Sequence, residues 1–407
     1  MPSVTLLLGS GVSLSAGMPS TQEITQLVVS GQGAWRHTDE RYYLSDPLPG
    51  YLPHPEHVPL ILRFLSSLSK VAADYYRLAS ADQPSYEELF YLARQVADCE
   101  TQEYDNPAVF PLCRRLRREL NPRLREASTF DSGYWNLARL GDETCSYIAD
   151  LASHVLSERP TTTEHIALLL RAFCAVGSGG GAIVTLNHDT ALEMALSAVA
   201  IPYTDGFSSL TREIARWDPQ SLTRESALRL LKVHGSVDWH WVRIRDRDTQ
   251  SDFLARILLG ADHYRLRLPD GTEAMVHSGR PIMLVGTHNK ILNYSGEIFL
   301  TLFYRFSEAM QASTALVVCG YGFRDKGINR ALVEWIEANR DRVMTVIHPD
   351  PDELCAKARG AISLRWDSWL KRKRIRVVPK RLEELGPTDL KEAFTSDPWP
   401  GRGSDRG

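Results

Sequence analysis

Short apolar runs that stop abruptly at glycine or at polar residues recur along the chain. Val4–Leu8 is the first, and it ends in Gly9-Ser10-Gly11. Such a run reads as a strand covered on both faces that enters a tight turn. Ala182–Leu186, Leu230–Val233, Ile282–Val285, Ala315–Cys319 and Met344–Ile347 repeat the pattern. Ala191–Val199 and Asn329–Ala338 carry apolar residues at helical spacing between them. Thr21–Ser30 reads as a helix with Glu23 in its first turn, and Thr163–Val176 as an amphipathic helix. Strands alternating with helices predict an α/β fold, a Rossmann-like parallel sheet flanked by helices.

Two stretches interrupt this alternation. Residues 57–160 carry helical periodicity over Leu60–Leu78, Tyr86–Val96 and Trp135–Leu156, with Ser85 in the position of an N-cap. They predict a large helical insertion. Residues 240–281 are charged and strand-like, with a turn at Pro269-Asp270-Gly271, and predict a smaller strand-rich insertion. Residues 1–30 and 163–380 then form one discontinuous sheet domain. The end of the chain, 398–407, is expected to be disordered.

Composition narrows the picture modestly. The 407 residues are 43% hydrophobic and 24% charged, which fits a globular protein of about two to three domains. Forty-seven Lys and Arg face fifty Asp and Glu, so binding of nucleic acid by bulk positive charge is not expected. Nucleic acid is therefore expected to be bound only weakly or indirectly. No apolar stretch reaches the ~18 residues of a membrane span, and no secretory signal opens the chain. The six cysteines include no Cys-x-x-Cys pair, so all are expected to be small buried hydrophobes in a reducing cytoplasm. No metal site is visible. Two basic runs, Arg114–Arg118 and Lys371–Arg376, read as solvated faces, with a nucleic-acid or acidic-partner contact as the sharper alternative.

The candidate chemistry sits where the apolar runs end. The Gly9-Ser10-Gly11 turn, followed by Val12 and Ser13, suits a phosphate cradle made of backbone N–H groups, or simply a tight strand-to-helix turn. Thr185-Leu186-Asn187-His188-Asp189 follows a strand. There Asn187 offers both a donor and an acceptor and Asp189 a carboxylate, or the segment merely caps the next helix. His234-Gly235 ends another run, and a histidine there can serve as a general base near neutral pH. Leu284–Lys290, with Thr287 and Asn289, is a fourth such end. Gly320-Tyr321-Gly322-Phe323-Arg324-Asp325 is a fifth, and His348-Pro349-Asp350 a sixth. In open α/β sheets, ligands bind outside such strand ends.

Together these segments resemble the sirtuin family, NAD-consuming enzymes on a Rossmann-like sheet. The sirtuin Gly-x-Gly-x-Ser turn and the Gly-x-Pro after it match Gly9-Ser10-Gly11-Val12-Ser13 and Gly17-Met18-Pro19. The Thr-x-Asn-x-Asp segment matches Thr185, Asn187 and Asp189, and the catalytic His-Gly matches His234-Gly235. Ser20 and Thr21 stand where sirtuins carry Phe-Arg, and the four-cysteine zinc module of protein-deacylating sirtuins is missing. The 320–325 segment is similar to an element of a divergent sirtuin-like branch found in prokaryotic antiphage systems, whose members hydrolyse NAD. Chains of this size in that branch most resemble the partner of a HerA-type ATPase.

The resemblance implies NAD as substrate, no metal, and cleavage to nicotinamide and ADP-ribose. Asn187 would hold the ribose hydroxyls or the water, and His234 would accept a proton. Asp189 would add negative potential near the nicotinamide or orient Asn187. Gly9, Ser10, Gly11 and Val12 would meet the diphosphate, and Ser13 and Thr287 phosphate or ribose. Tyr321, Phe323, Asn289, His348 and Asp350 would frame the adenosine half. Pro19, Thr185, Gly320 and Asp325 complete the binding set by their place in the motifs. A large homo-oligomer and a cytoplasmic location are also implied. An NAD-dependent protein deacylase and a non-catalytic NAD or ADP-ribose sensor remain as alternatives.

Overall fold

The structure, a computed structural model, describes residues 4–44, 56–76, 84–103, 106–128, 134–176, 181–208, 213–224, 227–245, 252–277, 279–287, 290, 294 and 296–394. The expected disordered end, 398–407, lies outside them. The chain forms two compact units. One comprises Met1–Met18, Arg159–Leu284 and Lys290–Gly407; the other comprises Pro19–Glu158 and Val285–Asn289.

The first unit is built on a seven-stranded sheet. Its strands are β1 (Val4–Leu8), β4 (Ala182–Thr185), β5 (Tyr203–Thr204), β7 (Leu228–Lys232), β12 (Ala315–Cys319), β13 (Val343–Ile347) and β14 (Ile375–Val378). Their spatial order is β14-β13-β12-β1-β4-β7-β5, and every pair is parallel. Register explains why these strands are apolar at consecutive positions. Leu7 pairs with Val184 and Val318, and those pair with Leu231 and Val346; all five lie in one core. Leu6, Leu8, Ile183, Leu230, Val317 and Ile347 point into the core on the opposite face. A strand with both faces covered has no polar side to alternate with.

Helices fill both layers. α9 (Glu297–Ala312), α10 (Lys326–Ala338), α11 (Pro351–Lys357), α12 (Gly360–Ser363) and α13 (Trp366–Lys371) supply Leu302, Phe306, Leu332, Trp335, Trp366 and others to the first core. α7 (Glu164–Val176), α8 (Ala191–Ala198) and α14 (Pro387–Phe394) serve the second. A five-stranded sheet accompanies this layer system, in the order β10-β11-β8-β9-β6. Its strands are β6 (Ile214–Arg216), β8 (Trp239–Ile244), β9 (Phe253–Ile257), β10 (Leu266–Arg267) and β11 (Glu273–Val276), each antiparallel to its neighbours. The strand-rich insertion thus draws in a strand from well before residue 240.

One strand reading is corrected. Ile282–Val285 is not part of the sheet. Its Met283 makes a lone bridge to Gly235, while Ile282 N–H donates to Trp239 O and Leu284 N–H to His234 O. Those groups are taken by the 234–239 turn, so no ladder forms. A strand that the sequence pattern did not mark, β14, begins at the end of the second basic run. There Arg374 is buried and its guanidinium donates to the carbonyls of Arg342 (3.0 Å), Asn339 (2.6 Å) and Ile336, closing the end of α10. Lys371–Arg376 is therefore not simply a solvated face.

The second unit is helical: α2 (Thr21–Ser30), α3 (His57–Tyr76), α4 (Tyr86–Thr101), α5 (Phe110–Ala127) and α6 (Leu137–Leu156), with a small hairpin of β2 (Trp35–Arg36) and β3 (Tyr42–Tyr43). Reciprocal capping boxes start α2 (Ser20 with Glu23) and α4 (Ser85 with Glu88), each satisfying two orphan amide groups. α2, grouped by sequence with the sheet, belongs to this unit, where Thr25 Oγ1 accepts from Tyr86 N–H (2.9 Å) and Val28 O accepts from Tyr147 Oη (2.9 Å). Arg36 grips Glu143 with two hydrogen bonds, and Glu143 also accepts from Tyr42 Oη. Arg114, Arg115 and Arg118 are exposed on α5, whereas Arg117 pairs with Glu100 (2.8 Å). Cys113, Cys145 and Cys319 are buried, but Cys99 and Cys355 are only half-buried and Cys174 is exposed, so the expectation of six buried cysteines fails for three.

Candidate functional site

The carboxyl ends of β13, β12, β1, β4 and β7, adjacent in the sheet, carry most of the residues singled out by sequence. All of these ends belong to the first unit. The segment after β1 makes α1 (Gly11–Leu14), a single turn.

Glycines at these ends serve packing of backbone on backbone. Gly9 N–H donates to Cys319 O (3.0 Å) and Gly11 N–H to Gly320 O (2.9 Å). A Cβ on Gly9 would stand 2.5 Å from Gly320 O, one on Gly11 2.7 Å from Gly320 Cα, and one on Gly320 2.5 Å from Val12 N. Gly320 also has φ +67°, which favours glycine. Val12 and Ser13 N–H groups are spent on the carbonyls of Gly9 and Ser10. This corrects the expectation that Gly9, Gly11 and Val12 offer their amides to a diphosphate. Among the described residues, Ser10 is the member of the turn whose N–H has no carbonyl partner, and it is exposed. Gly235 tells the same story: at φ +82° its Cβ would lie 2.1 Å from Ile282 O, so close approach there is to the protein and not to a ligand.

Asn187 is the best-placed polar group. It is buried, its N–H donates to Thr185 Oγ1 (3.1 Å), and its Nδ2 donates to Gly9 O (3.1 Å) and Ser13 Oγ (3.0 Å). These bonds fix the amide plane. Its Oδ1 has no hydrogen-bond partner among the described residues. A buried amide oxygen left unsatisfied costs about 1–3 kcal/mol, so an incoming hydroxyl or water is favoured there. Asp189 accepts from Ala191 N–H (3.0 Å) and interacts with Ser13. It is thus tied to Asn187 through one hydroxyl. Burial pushes the Asp189 carboxyl up from its usual value, and Lys232 opposes the shift.

Lys232 is a group that sequence reasoning missed. It is fully buried at the end of β7, and its Nζ donates to Asp189 O (2.5 Å) and Glu193 Oε1 (2.7 Å). Burial opposes its charge, but Glu193, Asp238 and Asp189 more than compensate and raise its pKa. Asp238, also buried, is pushed up to about 6 by burial against the pull of Lys232. The available signal was a lysine inside the apolar run Leu230–Val233.

His234 is buried, with Nε2 2.7 Å from Tyr294 Oη and 3.3 Å from Asp325 Oδ2. Lys290 Nζ lies 3.5 Å from its Nδ1, and the His188 ring stands 6.2 Å away. Burial, reinforced by Lys290, His234 and Lys232, drives the His188 pKa well below its usual value, so His188 is neutral. Burial alone would raise the Asp325 carboxyl, but the hydrogen bond from His234, the attraction of that ring when protonated and the charge of Lys290 hold it at about 2. Tyr294 and Lys290 had no prior assignment in the site.

The remaining candidates separate. Tyr321 Oη donates to Asn329 Oδ1 (2.8 Å) and also contacts the Asp325 backbone. Phe323 is fully buried against Tyr321 and Trp366, which corrects its assignment to an adenosine frame: its ring is core. His348 Nδ1 turns back onto Asp350 N–H (3.1 Å), and Asp350 caps α11. Pro19 and Thr287 belong to the second unit. Asn289 lies outside the described residues.

No curated protein matches the sequence. Among solved structures, a Sir2 homologue in complex with ADP-ribose is 10% identical, covering 96% of this chain and 89% of that one, with a TM-score of 0.35. A Sir2 homologue in complex with NAD is 12% identical, covering 96% and 88%, with a TM-score of 0.36. A structure of a Sir2 enzyme is 11% identical, covering 96% and 92%, with a TM-score of 0.37. Residues 181–378, which run from just before β4 to the end of β14, match the SIR2-like domain family.

Proposed function

We propose that this chain is an NAD glycohydrolase that cleaves NAD to nicotinamide and ADP-ribose. The observation that carries the reading is Asn187: its amide is held rigidly at the β1–β4 strand ends while its buried Oδ1 is left without a partner among the described residues. The SIR2-like match over 181–378 and the joint motif set support it.

The chemistry asks little of the protein beyond positioning. Nicotinamide leaves as a neutral molecule because it is already cationic in NAD, so no general acid is needed. As the bond from ribose to nicotinamide breaks, positive charge grows on the anomeric carbon, as in O-glycoside cleavage. Water adds to that carbon and gives up one proton. Asn187 Oδ1 accepts from the ribose hydroxyl or the water, and His234 takes the proton. Asp189 and Ser13 hold Asn187. Positioning of this kind lowers barriers by several kcal/mol, and a well-placed base adds about 10²–10⁴-fold.

The cellular role we propose is NAD depletion in antiphage defence, by abortive infection. The protein would act in the cytoplasm as a homo-oligomer restrained and triggered by a HerA-type ATPase, with nucleic acid contacted only through that partner. Among the described residues no helix is long and apolar enough to cross a membrane. Co-purification of the two proteins, with nicotinamide release only when the ATPase and DNA are both present, is the expected result; release unaffected by any ATPase removes the partner from the proposal. The deacylase alternative requires acetylated peptide to stimulate nicotinamide release. The sensor alternative requires tight NAD binding with no product.

A further inference from the structure

His234 is held on both ring nitrogens, and the partners differ in kind. An ammonium only donates, so Nδ1, facing Lys290 Nζ at 3.5 Å, carries the lone pair. Nε2 then carries the hydrogen and donates to Tyr294 Oη at 2.7 Å. Tyr294 Oη in turn donates toward Asp325 Oδ2 at 3.5 Å, and the same carboxylate oxygen stands 3.3 Å from Nε2. The three groups come from separate places: the turn after β7, the segment before α9, and the start of α10. All three are buried.

We propose that Asp325 is the positioning residue of His234, acting directly and through the Tyr294 hydroxyl. It holds the imidazole in the tautomer with its hydrogen on Nε2, so that Nδ1 is the base once Lys290 Nζ has released its lone pair, and it steadies the imidazolium formed when His234 takes a proton. The catalytic part of this role rests on the hydrolase reading above. There the water oxygen bonds to the anomeric carbon, the bond to nicotinamide breaks with its electron pair on nicotinamide, and the water's proton goes to Nδ1. Asp325 stays ionised throughout. This reassigns a residue that the sequence placed in the cofactor-binding set.

Among the described residues, the charged and titratable groups in contact with or close to His234 include Lys290, Tyr294, Asp325 and His188. Lys290 opposes an imidazolium and His188 is neutral, so Asp325 is the group that stabilises it. Removing the carboxylate lowers the His234 pKa.

The test is Asp325→Asn in the full chain. Asp325 also caps α10, its Oδ1 accepting from Ile328 N–H (2.9 Å). Asparagine is as good an N-cap as aspartate, so this variant removes the charge and keeps the cap. Histidine-labelled protein is titrated by NMR, and NAD cleavage is followed against pH. The His234 pKa should fall by about one to three units. The acidic limb of kcat/KM should move down in pH with it, while plateau kcat falls about 10²–10⁴-fold at little-changed KM. Tyr294→Phe should do less, and Asp325→Asn should have no further effect on residual turnover in a His234→Ala background. An unmoved His234 titration, or an equal loss of turnover in the His234→Ala background, overturns the proposal. If the parent protein cleaves no NAD, the hydrolase reading fails, and the NMR titration alone still decides whether Asp325 governs His234.

Discussion

A methyl group on Gly235 has nowhere to go. It would lie 2.1 Å from the Ile282 carbonyl oxygen, on a backbone at φ +82°. Gly235→Ala should therefore lower unfolding free energy by at least about 1–3 kcal/mol, read as a fall in the urea midpoint with an unchanged slope. Gly320→Ala should act similarly, because its Cβ would meet the Val12 amide at 2.5 Å. The residues at these strand ends were legible as polar or glycine stops after apolar runs. What the glycines do there was not, since only the fold reveals that Gly9 and Gly11 face Gly320. Tyr294, and the link of Lys290 to His234, were illegible for a related reason. They stand 60 and 56 residues from His234, and no local pattern marks a hydrogen bond across that span.

Between elements, Lys232 does for β7 and α8 what a cap does for one helix. It ties the end of the strand to the Asp189 carbonyl and to Glu193. Lys232→Met should cost about 3–5 kcal/mol, because breaking a buried ion pair strands the remaining charges. It should also loosen the loop that carries Asn187, so turnover should fall more than NAD affinity does. Asp238 adds a pH dependence. Its pKa is raised from 3.8 to about 6 in the folded protein, so folding holds a proton that the unfolded chain has lost between those values. The stability it contributes is full below about pH 4 and is lost as pH rises through 6. Asp238→Asn should flatten that part of a melting-temperature profile taken from pH 4 to 7; an unchanged slope would contradict the assignment. Asp325, lowered to about 2, works in the opposite direction: its contribution is present above pH 4 and disappears as pH falls through 2. Elements of this kind were read well where both faces of a strand are covered, as in β1 and β12. They were misread where an apolar run of the same length, Ile282–Val285, has its backbone groups taken by a neighbouring turn.

At the scale of the whole molecule, the alternation of strands and helices specified the parallel sheet, because sequential βα units have few other ways to cover two apolar faces. The limits of the helical unit were less visible. α2 has the amphipathic pattern of a sheet-covering helix, and nothing local says that its partners are Tyr86 and Tyr147. If the sheet unit binds NAD, ligand at about 100 times its Kd should raise unfolding free energy by about 2.7 kcal/mol, seen as a concentration-dependent rise in melting temperature. The measurement that bears most directly on the account is product analysis. Purified protein is mixed with NAD alone, with an acetylated peptide, and with a HerA-type ATPase plus DNA, and nicotinamide and ADP-ribose are quantified by chromatography. The account predicts peptide-independent ADP-ribose that disappears in both Asn187→Ala and His234→Ala. NAD left intact under every condition, or ADP-ribose formed equally by both variants, would contradict it.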